Sequence, residues 1–187
     1  NKDVLPKLEL NDVPKTIRYP KTTKLTTFGY SPTFYEQPTN GLTYNSVSKD
    51  LNLESQEELN SLMILSALLG KVGAGERDHV QLQKEISRLS GGISVSNHFY
   101  YDSNEELKGK TTLSSKFLPE NTAETTKLIF EILGKTDFTH HERIKELMFQ
   151  NFMGFQQSIV ENGHRFAMLG ASASHNKLSH VQESLGG

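Results

Sequence analysis

The chain has 187 residues, room for one domain or for one large domain with a tail. Its 20 basic and 22 acidic residues leave a formal charge of −2, so it carries no basic footprint for nucleic acid or an anionic membrane. There is no cysteine, which excludes disulfides, thiolate nucleophiles and cysteine–zinc sites. No apolar run approaches the roughly 18 residues of a membrane span. The chain opens at Asn1 without an initiator Met or a leader pattern and closes on Gly186-Gly187, and both ends are expected to be cuts from a longer polypeptide.

Residues 1–22 read as a linker or lead-in, with a domain over 23–187 that is cut short at its C-terminal end. Pro6, Pro14 and Pro20 rule out a long helix or a central strand there. Leu5, Leu8, Leu10, Val13 and Ile17 call for a surface to pack on. Residues 24–34 have strand composition. Asn40-Gly41 favours a positive-φ turn, and residues 42–47 alternate in the manner of a strand. Two strands across a short loop predict a hairpin. A longer crossover through residues 37–40 stays open as the alternative.

The stretch from Gln56 to Ser96 organises the rest. In its first helix Leu59, Leu62, Met63, Ile64, Leu65, Ala67, Leu68 and Leu69 put apolar residues on nearly every side, which predicts a buried helix. Three glycines between Gly70 and Gly75 end it. The second helix carries the stripe Leu82, Ile86, Leu89. Gly91-Gly92 then releases a strand over 93–102, followed by a turn at Asp102–Glu105 and a strand over 107–117.

Residues 121–134 form a helix with Leu128, Ile129, Ile132 and Leu133 at helical spacing and Pro119 just ahead of it. Thr139 is placed to cap a long helix whose stripe, Ile144, Met148, Phe152, Phe155 and Ile159, is predicted to be buried. Asn162-Gly163 breaks that helix. Residues 164–174 follow, with small residues at 170–173 that permit close approach of another element, and then a short helix over 178–185. Strand pairs separated by helix pairs predict an α+β fold, an antiparallel or mixed sheet with helices on one face.

Candidate chemistry is sparse. His140-His141-Glu142 lacks the second His one helical turn on that a zinc helix needs, because that place is Lys145. It reads as a charged helix start. Gly73-Ala74-Gly75 joins two helices and lacks the Lys-Ser/Thr of a phosphate loop, so it reads as a turn. His164 and Arg165 have Glu161 as the nearest carboxylate in sequence, and His164 reads as a packing residue. His98 stands among Phe99, Tyr100 and Tyr101 on a strand. Such an edge either packs in the sheet or docks an extended peptide by strand addition, with His98 and Tyr100 as the peptide contacts.

Four stretches resemble the pitrilysin/insulinase superfamily of zinc metallopeptidases, in its presequence-protease and falcilysin branch. They are LPKLELNDVP, PTNGLTYNSVSKDLN, EELNSLMILSALLGKVGAGERDHVQLQKEISRLSGGISVS and SIVENGHRFAMLGASASHNKLSHVQESLGG. The resemblance implies one of four homologous α+β domains that close in two halves around a peptide chamber. It implies the third domain, the first of the C-terminal half, and an organelle matrix or a bacterium as the setting. In the family's first domain an H-x-x-E-H motif and a distal Glu hold zinc and activate water, the inverzincin arrangement. Aligned on Gly70, the two His positions fall at Ser61 and Leu65 and the catalytic Glu at Ile64. No catalytic or metal-binding residue is therefore expected here. Zinc is expected in the parent's catalytic domain, and the partners are other domains of the same polypeptide and the parent's unfolded peptide substrates, with no nucleic acid and no membrane. A peptide-binding module that works by strand addition is the alternative.

Overall fold

The computed structural model describes residues 9–17, 19–25, 32–51 and 55–186. The chain divides into two compact units, Asn1–Asn40 and Gly41–Gly187. In the first, a 3-10 turn at Leu10–Asp12 precedes a two-stranded antiparallel sheet of β1 (Lys21–Lys24) and β2 (Thr33–Glu36), with Thr22 opposite Tyr35. Leu10, Val13 and Ile17 are exposed, contrary to the expectation that they pack on a surface, and Leu5 and Leu8 lie outside the described residues.

The second unit runs β3 (Thr43–Leu51), α1 (Gln56–Leu68), α2 (His79–Leu89), β4 (Ile93–Tyr101), β5 (Leu107–Phe117), α3 (Thr122–Lys135), α4 (His141–Glu161), α5 (Gly163–Ala173) and α6 (Lys177–Gly186). The three strands form one antiparallel sheet in the order β3-β5-β4, which makes the fold α+β. The expected hairpin between residues 24–34 and 42–47 does not form. β2 closes back on β1, and Asn40 and Gly41, both at positive φ, turn the chain toward a strand that pairs with β5 instead.

Strand alternation gives this sheet two unlike faces. On one, Val47, Val95 and Leu113 stand side by side and meet α2 and α3. Leu82, Ile86 and Leu89 of α2 join Leu128, Ile129 and Ile132 of α3 there, and all six are buried. On the other, hydroxyls pair across the strands, Ser46 with Ser114 at 3.1 Å and Ser48 with Thr112 at 2.9 Å, and Ser46 and Ser48 are exposed.

Two helices depart from the sequence expectation. α1 is not buried: only Leu59 and Leu68 are enclosed, while Met63, Ile64 and Leu65 are exposed, Ile64 at 46%. In α4 Leu147 alone is buried. The predicted stripe is half-buried at Ile144 and Met148 and exposed at Phe152, Phe155 and Ile159. Thr139 does not cap α4, because the N-cap position is His140 and its side chain makes no cap bond. Leu133 of α3 is also exposed. Leu68, Val72 and Leu147 form a small second core where α1 meets α4. Among the described residues no helix is long and apolar enough to cross a membrane.

Candidate functional site

The glycine segment after α1 is a structural turn. Gly75 donates its N–H to the carbonyl of Lys135 at 2.8 Å, and Ala74 donates to that of Arg77 at 3.0 Å. Those donors are spent on carbonyls, so they offer nothing to a phosphate. Gly75 has φ +61°, and a Cβ there would run into the carboxylate of Glu131, which is ion-paired to Arg77. The turn thus pins the end of α1 to the end of α3.

That anchoring sets α1 beside β4 and opens a groove of about 820 Å³ between them, closed on the far side by α4, α5 and α6. Its apolar walls include Ile64 of α1, Phe99 of β4, Phe155 of α4 and Leu169 of α5. Its polar element is centred on Asn97, which occupies an inward-facing strand position. Asn97 Nδ2 donates to Ser66 Oγ at 3.0 Å, and Thr111 Oγ1 donates to Asn97 Oδ1 at 2.7 Å. A half-buried amide that is satisfied in this way fixes strand against helix. Lys71, Arg165 and His98 also line the groove, and among the described residues no carboxylate does.

The structure divides the residues that sequence reasoning groups. Ile64 and His98 share the groove, whereas Ser61 and Leu65 line a shallow neighbouring depression with Glu57 and Glu58. One hydroxyl and two hydrocarbon chains at 61, 64 and 65 do not fit zinc, which takes nitrogen, thiolate or carboxylate ligands. These positions are open surface rather than core. His98 shares a 2.9 Å hydrogen bond with Ser96 Oγ on the hydroxyl-bearing face, and Tyr100 lies under Lys110, whose Nζ is 5.7 Å from the ring centroid. Among the described residues β4 pairs with β5 alone, so no strand pairs with its outer edge.

Elsewhere, His140 lies 3.3 Å from Asp137, whose carboxyl is held below the ordinary aspartate range chiefly by the backbone N–H of Thr139. Glu142 pairs with Lys145 at 2.8 Å, which makes this a charged helix start. Glu161 accepts from Gln157 rather than from His164. Among the described residues no three His, Cys, Asp or Glu side chains converge as metal ligands. Sequence reasoning misses Lys71 and Asn97 and leaves Arg165 without a role. Only Asn97 carries a local signal, as a polar residue at an inward strand position.

The chain is 27% identical over 186 residues to the mitochondrial presequence protease of Danio rerio, which covers 98% of this chain but 18% of the relative. It is 28% identical over 190 residues to that of Yarrowia lipolytica, 19% of the relative's length. It is 25% identical over 166 residues to protein HypA of Clostridium perfringens, 17% of that length. The chain therefore spans less than a fifth of these relatives. The family model for the region associated with peptidases of family M16, subfamily C, matches residues 1–187, so the chain belongs to that peptidase-associated family.

Proposed function

We propose that this chain is a non-catalytic domain of a zinc-dependent oligopeptidase and forms part of the wall of a closed chamber where unfolded peptides are degraded. The apolar side chains left open along α4 outside the groove, Phe149, Phe152, Met153 and Val160, carry this reading. Domains that stand alone rarely expose contiguous apolar surface on this scale. The chain is 18% of the length of a presequence protease, which leaves ample polypeptide to cover that surface. Other domains of the same polypeptide are its partners, and zinc and the catalytic groups belong to one of them. Phe149, Phe152 and Val160 of α4, which lie outside the groove, seat against neighbouring domains. Relatives named as mitochondrial favour an organelle matrix, and HypA of Clostridium perfringens favours a bacterial setting equally.

The test is to express the chain alone and titrate it with zinc and with unfolded fluorogenic peptides. Neither stoichiometric metal binding nor cleavage is expected. The chain is expected to self-associate with concentration and to stop doing so when the rest of the parent is co-expressed. Zinc bound one to one, or unaided cleavage, overturns the proposal.

The open edge of β4 beside the groove favours a second role, the docking of extended peptide segments by strand addition. Saturable calorimetric binding of unfolded peptides supports it, and no measurable heat overturns it.

A further inference from the structure

We propose, building on the strand-addition reading, that the groove between α1 and β4 selects extended peptide segments bearing acidic side chains and turns away basic ones. Three independent features meet there. The outer edge of β4 has no partner strand among the described residues, and residues 95–99 of that strand line the groove where an incoming strand would pair. The walls supplied by Ile64, Phe99, Phe155 and Leu169 take the alternate apolar side chains that such a strand presents.

The third feature is charge. Lys71, in the turn after α1, and Arg165, in the first turn of α5, enter the groove from different elements, and neither side chain has a carboxylate partner among the described residues. Arg77, Arg88, Lys108, Arg143 and Lys145 each sit on a carboxylate, and what sets Lys71 and Arg165 apart from the other described cations without one is that they enter a single groove from two elements. No Asp or Glu lines the groove among the described residues. Two uncompensated cations above apolar walls focus a positive potential into the cleft. A glutamate entering it finds partners for its charge, whereas a lysine must lose water beside charges of its own sign. The preference opposes the composition of targeting presequences, which are rich in Arg and poor in acid. The groove is accordingly a docking place for the acidic portion of the peptide pool.

The test uses the full-length parent in the presence of a chelator, so that bound peptide is not cut. Two photoreactive nonapeptides share one alternating Val/Leu pattern and differ only in carrying Glu or Lys between the apolar positions. After irradiation, labels are mapped to residues 63–71, 95–99 and 163–169. The Glu peptide is expected to label these segments at least tenfold more than the Lys peptide. The preference is expected to collapse between 50 and 500 mM salt, and to reverse in Lys71→Glu/Arg165→Glu. Equal labelling by both peptides at low salt overturns the charge selection and leaves strand addition standing. Labelling by neither peptide at these segments overturns both. The salt series needs no variant, so the proposal stays testable if the double substitution fails to fold.

Discussion

The second unit covers one side of its helical layer and leaves the other bare. Around α2 and α3 every stripe residue but Leu133 meets a partner: Leu82, Ile129 and Ile132 are enclosed against Leu113. Around α1 and α4, residues of the same kind at similar spacing face outward, with Phe149 at 63% exposure and Val160 at 86%. Local periodicity therefore reports only that a helix has an apolar face. Whether that face is covered depends on what stands next to it, and on the proposed function the cover is another domain of the parent.

The sharpest way to break the contrast is to truncate one residue on each side. Ile129→Ala removes a fully enclosed side chain and is expected to lower stability by about 3 kcal/mol. Phe152→Ala removes a larger but exposed one and is expected to change the chain alone by less than ~0.5 kcal/mol. Urea unfolding of both variants measures the difference, and equal losses refute the division. In the full-length parent the Phe152 variant is expected to become destabilising as well, because the proposed neighbour then covers it.

A smaller effect, of opposite sign on the two sides, comes from glycine. Gly75→Ala forces a left-handed backbone onto an L-residue and drives its Cβ into Glu131, at a cost of about 1–2 kcal/mol. Gly154 lies within α4, where a Cβ meets nothing within 4 Å, so Gly154→Ala is expected to stabilise by up to about 1 kcal/mol through helix propensity. Thermal melts of the two variants check both signs.

The legibility of the fold follows the same division. The stripe Leu82, Ile86, Leu89 and the turn of the double glycine are readable because their partners lie within the chain and the periodicity is local. α1 misleads because eight apolar residues look alike whether covered by this chain or by another. The β1–β2 pairing escapes a reading of sequence because Lys21–Lys24 is polar and carries little strand signal, and pairing is decided by backbone geometry at a distance. Ser61, Ile64 and Leu65 are singled out by resemblance alone. The cations Lys71 and Arg165 belong to one groove only after α1 and α5 are brought together, which no window of sequence displays.

Each side has one helix with a side-chain cap, Ser55 on α1 and Asp78 on α2, but only Asp78 can titrate, so pH separates the two most gently. α2 opens with a capping box: the Asp78 side chain accepts from the backbone N–H of Gln81 at 2.8 Å, and the Gln81 side chain reaches back to the N–H of Asp78. The bond from Gln81 holds the Asp78 carboxyl below its ordinary value of 3.8. A carboxyl depressed in the folded state stabilises fully above its unfolded value and loses that contribution as pH falls through the folded one. Stability from this cap is thus expected to be flat from neutral pH down to about 5 and to decline only below about 4. Asp78→Asn keeps an acceptor of similar capping strength but cannot titrate, so it is expected to match the parent chain at pH 7 and to lose less on acidification. Hydrogen exchange at the first-turn amides of α2 reads this out. If exchange there accelerates equally in both proteins at low pH, the cap is not what acid removes first from the covered side.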